Sequence, residues 1–95
     1  MKNNIVSFFT ELVGTFIFVL VFLKIAEPIP IGIALIAMMY FGNKISLGAF
    51  NPAVATGLYL RHDLDTNQYV TYLVAQILGA FFAYHVYNYT TIKIE

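Results

Sequence analysis

The amino-acid sequence predicts an all-α membrane protein with three membrane-spanning helices and one shorter helix that enters the membrane without crossing it. Three observations predict this fold. Apolar residues make up 60% of the 95-residue chain and charged residues only 11%, whereas a soluble domain carries about 25% charged residues. Two apolar runs have the roughly 20-residue length that a helix needs to cross a bilayer. The segment between them contains a shorter apolar piece that begins at an Asn-Pro pair.

The first apolar run, Ile5 to Leu23, carries a single charge at Glu11. A secretory signal peptide is the alternative, because Lys2 precedes the run. The run is longer than a typical signal-peptide core, it contains a carboxylate, and no small-residue cleavage site follows it. The sequence therefore predicts a membrane span over about residues 5–25.

The other two spans have different end signals. A 13-residue apolar stretch, Ile29 to Phe41, lies between a proline-containing turn and Gly42-Asn43-Lys44, which predicts a span over about residues 29–44. The run from Tyr69 to Tyr87 contains no Asp, Glu, Lys or Arg, and tyrosines cluster at its end as they do at membrane boundaries. This run predicts a span over about residues 67–89, with its start capped by one of three polar residues, namely Asp65, Thr66 and Asn67.

The short piece from Pro52 to Leu60 has nine residues, which as a helix rise about 14 Å, half the hydrocarbon thickness. Asn51 is suited to cap this helix, and Pro52 then occupies the first helical position, where its missing N–H is not needed. The interpretation is a re-entrant loop and half-helix over about residues 45–60. A capped helix start at the bilayer midplane presents amide donors and a positive dipole end, which suit a neutral, oxygen-bearing solute and repel cations. The alternative is an ordinary Asn-Pro helix start in a loop outside the membrane.

Three motifs occur in order along the chain: Glu11-Leu12-Val13-Gly14-Thr15, Gly48-Ala49-Phe50-Asn51-Pro52-Ala53-Val54 and Ala75-Gln76-Ile77-Leu78-Gly79-Ala80. On these motifs the chain resembles the major intrinsic protein family, the aquaporins and glycerol facilitators, from about residue 11 to residue 84. The resemblance implies a pore made of two inverted three-helix repeats, each of which contributes one Asn-Pro-Ala half-helix. Residues 1–95 resemble the first repeat only, a single aquaporin-like half-domain.

The resemblance also implies which residues serve the pore. Glu11 and Gln76 would brace the loop by hydrogen bonding to it. Alternatively, Glu11 faces the lipid headgroups and Gln76 makes an ordinary contact between helices. The residues expected to line the pore or bind the solute, some of them through backbone carbonyls, are Gly48, Ala49, Phe50, Asn51, Pro52, Ala53 and Val54.

Several side chains depart from the family pattern or have less specific roles. Val54 stands where the second repeat of the family has a constricting arginine, so a pore built from two such chains would lack that constriction. Gly48 is expected to take a positive φ. Ile31 and Met39 lie about where the family's outer filter is lined, although lipid-facing or core positions fit them equally well. The six glycines are expected to allow close packing of helices or loop, namely Gly14, Gly32, Gly42, Gly48, Gly57 and Gly79.

Other function classes find little support. The net charge is zero and no basic run occurs, which argues against a nucleic-acid partner. No cysteine is present, and no Ser/His/Asp arrangement, phosphate loop or paired carboxylate is found. We therefore expect no catalytic residues, no bound metal and no cofactor. His62, beside Arg61 and Asp63, is interpreted as part of a solvated loop.

The predicted function is a passive channel, or channel subunit, for water or a small neutral solute in a lipid bilayer. One repeat needs a second half, supplied by a complementary chain or by an antiparallel copy of itself. With the N-terminus inside, three basic residues lie inside (Lys2, Lys44, Arg61) and two outside (Lys24, Lys93), a bias weak enough to permit both orientations. The alternatives are a non-conducting partner of a full-length channel, a proton-coupled carrier that uses Glu11, and a truncated inactive half.

Overall fold

The computed structural model describes residues 4–94, which form four α-helices joined by short connections. In chain order these are α1 (Asn4–Ile25), α2 (Pro28–Ser46), α3 (Pro52–Leu60) and α4 (Thr66–Ile94). Three of them, α1, α2 and α4, are long and apolar enough to cross a membrane, whereas the nine residues of α3 are not. The predicted all-α membrane fold is therefore confirmed. Lys2 and the side chain of Lys93 lie outside the described residues.

Helix α1 occupies the centre of the fold and packs against both α2 and α4. Helices α1 and α4 run parallel, as shown by hydrogen bonds that join their starts and their ends. Near the starts, Asn4 Nδ2 donates to Asn67 Oδ1 at 2.8 Å; near the ends, Lys24 Nζ donates to Thr90 Oγ1 at 2.7 Å. Gly79 allows a close approach between them, since a Cβ at this position would lie 2.6 Å from the carbonyl oxygen of α1 residue Leu12.

Helix α2 is longer at both ends than the predicted span of about residues 29–44. It begins at Pro28, because the first helical turn tolerates proline without losing an internal hydrogen bond. It continues through Asn43 to Ser46, and it ends where Leu47 adopts a left-handed conformation with φ 68°. The Leu47 N–H donates to the Asn43 carbonyl at 3.0 Å, which closes the final turn.

At the start of helix α4, two residues exchange hydrogen bonds, each through its side chain to the backbone N–H of the other. Asp65 Oδ1 accepts from the Gln68 N–H at 2.8 Å, and Gln68 Oε1 accepts from the Asp65 N–H at 2.9 Å. This is a capping box, so Asp65 is the cap among the three residues that the sequence offered. The helix continues to Ile94, beyond the predicted end near residue 89.

The glycines differ in what surrounds them. A Cβ at Gly14, Gly42 or Gly79 would lie closer than 3 Å to a neighbouring atom, so the expected close packing is confirmed at these positions. The same expectation is wrong within this chain for Gly32 and Gly57, where an added Cβ would meet nothing within 4 Å. Both glycines lie on helix faces that residues 4–94 leave open.

Candidate functional site

The loop between α2 and α3 departs from regular structure over a few residues. Three of them have positive φ: Leu47 at 68°, Gly48 at 62° and Phe50 at 51°. The value at Gly48 agrees with the sequence prediction. Residues other than glycine rarely adopt a positive φ, so contacts with the surrounding helices must hold Leu47 and Phe50 in this conformation.

The carboxylate of Glu11 supplies the central contact. Glu11 is fully buried. Its Oε1 accepts hydrogen bonds from the Phe50 N–H at 2.7 Å and from Gln76 Nε2 at 2.8 Å. Its Oε2 accepts from Ser46 Oγ at 2.6 Å and from the Ala49 N–H at 3.2 Å. One side chain of α1 thus joins the end of α2, the loop and the middle of α4.

These four donors explain how a carboxylate is tolerated within a membrane-spanning helix. A buried carboxylate without partners is strongly unfavourable, and a carboxylate offers about four acceptor positions. The loop has the complementary need, since its N–H groups have no helical partners and find no water in hydrocarbon. The consecutive N–H groups of Ala49 and Phe50 both donate to Glu11, one to each carboxylate oxygen.

Ser46 belongs to this network, although sequence analysis did not identify it. Its hydroxyl donates to Glu11, and it also accepts from the Gly48 N–H at 3.4 Å. Ser46 is fully buried at the last position of α2. Its position in the sequence could indicate this role, because a hydroxyl at the end of an apolar span and just before an irregular loop can form hydrogen bonds with loop backbone groups.

Phe50 fixes the loop through its ring. The side chain is 1% exposed and lies in a notch formed by two glycines, Gly14 of α1 and Gly42 of α2. A Cβ on Gly42 would lie 2.6 Å from Phe50 Cζ, and a Cβ on Gly14 would overlap the same ring. The ring is thus enclosed between two helices, and this contact fixes the position of the loop.

Asn51 starts the half-helix as its sequence indicates. Its backbone is extended, with φ −160°, and its Oδ1 accepts from the Ala53 N–H at 2.7 Å. Its carbonyl accepts from the Ala55 N–H at 2.9 Å. Within residues 4–94, nothing accepts a hydrogen bond from Asn51 Nδ2, so the side-chain amide can donate to a solute while its oxygen caps the helix.

The remaining predicted pore residues lie on either side of Asn51 along the chain. Pro52, Ala53 and Val54 are all exposed at the start of α3. On the other side of Asn51, no described residue donates to the loop carbonyls, which are those of Leu47, Gly48, Ala49 and Phe50. Along the chain, four loop carbonyls without a donor among the described residues are followed by the side-chain amide of Asn51, which has no acceptor there. Gly48, Ala49 and Phe50 are themselves buried within the chain.

Comparison with protein families identifies the chain. The family model for the major intrinsic proteins matches residues 22–94, which include α2, the loop, α3 and α4. The chain belongs to the major intrinsic protein family. The resemblance noted from the sequence motifs is thereby confirmed. Because the match begins after Glu11, the hydrogen bonds described above provide the link between that carboxylate and the matched loop.

Three relatives illustrate the similarity of this major intrinsic protein to known chains. It is 33% identical over 88 residues to the glycerol uptake facilitator protein-like 6 of Lactiplantibacillus plantarum, covering 81% of this chain and 40% of the relative. It is 34% identical to the glycerol uptake facilitator protein of Buchnera aphidicola, covering 60% and 23% of the two chains. It is 43% identical to aquaporin Z of Brucella melitensis, covering 52% and 22%.

The chain therefore spans less than half the length of the relatives that it matches. No solved structure matches it significantly. Members of the major intrinsic protein family are integral membrane proteins and passive channels rather than enzymes. Family membership and the three spanning helices identify this chain as a multi-pass membrane protein.

Proposed function

We propose that this chain forms one half of a passive pore for water or a small neutral solute, and that a second copy in the opposite orientation supplies the other half. The observation that supports the proposal is the uncovered start of α3. A capped half-helix presents the Asn51 amide, and it follows a loop whose four carbonyls accept no hydrogen bond within residues 4–94. Donor and acceptors in a row can replace the hydrogen bonds that a neutral solute makes with water.

The single chain leaves this row without a second wall. Within residues 4–94, α3 packs against α4 and against no other helix, so the Ala53 and Val54 face is open. Irregular backbone at membrane depth is tolerated only where protein or a watery cavity covers it. A second half-helix opposite α3 would enclose the row and turn the open surface into a water-filled passage.

An antiparallel copy fits this requirement by symmetry. A two-fold axis in the membrane plane brings the same face of both subunits together, so each half-helix would meet its own counterpart near the midplane. The basic residues, three on one side and two on the other, impose little preference for one orientation. In such a dimer Val54 would appear twice and no arginine would narrow the pore, which favours a wider range of small neutral solutes.

The test is osmotic shrinkage of proteoliposomes that contain only this purified chain, with water and glycerol flow measured separately. We expect flow above that of empty vesicles, abolished by Asn51→Asp because a carboxylate replaces the amide donor. Asn88→Asp is the matched control, since Asn88 is exposed near the end of α4 and should leave the flow unchanged. Flow no faster than through empty vesicles, with inserted and folded protein, would contradict the homodimeric pore. That result would instead favour a complementary chain as the second half.

A further inference from the structure

Two hydrogen bonds in series connect α4 to the first residue of the half-helix. Thr56 Oγ1, one turn into α3, donates to the Pro52 carbonyl at 2.8 Å. The same oxygen lies 2.7 Å from the hydroxyl oxygen of Tyr69, in the first turns of α4. Pro52 directly follows Asn51, so this connection reaches the residue beside the predicted solute contact.

The direction of the connection follows from the number of protons available. A threonine hydroxyl has one proton, and Thr56 uses it to bond the Pro52 carbonyl. The bond between the two hydroxyl groups therefore requires Tyr69 to donate and Thr56 to accept. The order is Tyr69 O–H to Thr56 Oγ1 to Pro52 C=O, and the loss of either hydroxyl would break it.

A second tyrosine lies against the first but is not part of this series. The rings of Tyr59 and Tyr69 are stacked, with centroids 4.5 Å apart and planes at 8°. The Tyr59 hydroxyl bonds instead to Thr66 Oγ1 at 3.0 Å, at the start of α4. The stack attaches the end of α3 to α4, whereas the Tyr69 hydroxyl reaches towards the beginning of α3.

We propose that Tyr69 is a positioning residue for the pore: through Thr56 it holds the first turn of α3, and with it Asn51, at a fixed place relative to α4. The α3–α4 contact is the natural place for such control, because α3 packs against no other helix in the described chain. The consequence for permeation rests on the proposed function. The positioning itself is a property of the folded chain and can be measured without transport.

The experiment is amide hydrogen exchange on the ¹⁵N-alanine-labelled chain in lipid nanodiscs. Ala53 and Ala55 report on the first turn of α3, where their N–H groups bond to Asn51. The buried residues Ala75 and Ala83 report on α4. Tyr69→Phe keeps the ring and removes the hydroxyl. We expect exchange at the two α3 alanines to rise about fivefold, the factor that corresponds to losing one ordinary hydrogen bond, with the α4 alanines unchanged.

Four further variants distinguish the loss of the Tyr69–Thr56–Pro52 hydrogen bonds from a general destabilisation of α3. Thr56→Val should reproduce the increase, and Thr56→Ser, which keeps the hydroxyl, should restore wild-type exchange. Tyr59→Phe should leave Ala53 unchanged, because it removes only the bond to Thr66. Thr71→Val is the matched threonine control, since Thr71 makes the same bond to a carbonyl four residues earlier, that of Asn67, within α4.

Exchange at Ala53 that is unaffected by Tyr69→Phe would overturn the proposal. An equal increase in Tyr59→Phe would also overturn it, by assigning the effect to the ring pair as a whole. In vesicles, the proposal expects Tyr69→Phe to change the ratio of water to glycerol flow at equal protein insertion. If the wild-type chain conducts neither, the proposed function fails while the exchange result still decides the role of Tyr69.

Discussion

Glu11→Gln separates a carboxylate that braces the loop from one that carries protons. The substitution keeps the size of the side chain and replaces one acceptor oxygen with an NH₂ group. Each oxygen of Glu11 receives one loop N–H and one side-chain donor. Whichever way the new amide is oriented, its NH₂ group must therefore face one loop N–H, either that of Ala49 or that of Phe50.

The side-chain donors can adapt to this change, whereas the loop N–H cannot. Ser46 can turn its proton to the Gly42 carbonyl, which lies 3.5 Å away, and accept from the new amide. Gln76 can flip, because its own Oε1 has no partner in the described part of the chain. One buried backbone N–H nevertheless stays unsatisfied, which costs about 1–3 kcal/mol. A neutral glutamine has a smaller desolvation penalty than a carboxylate, and this gain offsets part of the loss of the charge-assisted hydrogen bonds. We therefore expect a destabilisation of about 2 kcal/mol.

The assay is reversible unfolding in mixed micelles, with the unfolding free energy extrapolated to zero denaturant. Glu27→Gln is the matched control, because Glu27 is exposed in the turn between α1 and α2, and it should change stability by less than about 0.5 kcal/mol. Equal unfolding free energies for the two variants would refute the bracing role. Loss of a pH-dependent flow together with unchanged stability would support the proton-coupled carrier instead.

Two further changes test the packing and capping described above. Gly14→Ala should destabilise the chain by about 1–3 kcal/mol in the same assay, because the added methyl overlaps the enclosed Phe50 ring. Gly32→Ala, where the space is open, should be neutral or stabilising by up to about 1 kcal/mol; equal effects of the two glycine variants would contradict the notch. Asp65→Ala removes one side of the capping box and should cost about 1 kcal/mol, with faster amide exchange in the first turn of α4. Unchanged exchange there would show that the cap is dispensable.

The features that sequence alone predicted correctly are local ones. Spans follow from the length of apolar runs, and the half-helix follows from an Asn-Pro start and nine apolar residues. The cap by Asn51 needs only its own residue and the next two along the chain. The bounds of α2 were less accurate, because Gly42-Asn43-Lys44 reads as a break and yet lies within the helix. The glycine reflects a tertiary contact and not a turn, since a side chain at Gly42 would overlap the Phe50 ring.

Contacts between distant segments could not be predicted from periodicity or composition. Only the family resemblance points to Gln76, and neither periodicity nor composition points to Ser46. Both depend on a carboxylate at least 35 positions away in sequence, at Glu11. Similarly, nothing in the local sequence distinguishes the crowded Gly79 from the open Gly57; the difference is whether another helix lies alongside.

In the proposed pore, two oppositely oriented copies meet at the starts of their half-helices. The chain has no cysteine, so single-cysteine variants in bilayers test this claim by disulfide formation, which requires Cα atoms within about 7 Å. Ala53→Cys should form covalent dimers, because Ala53 is exposed at the start of α3. Leu60→Cys, at the far end of the same helix, should not, because the two copies would place it on opposite sides of the membrane. Cross-linking through position 60 but not through position 53 would contradict the antiparallel pore.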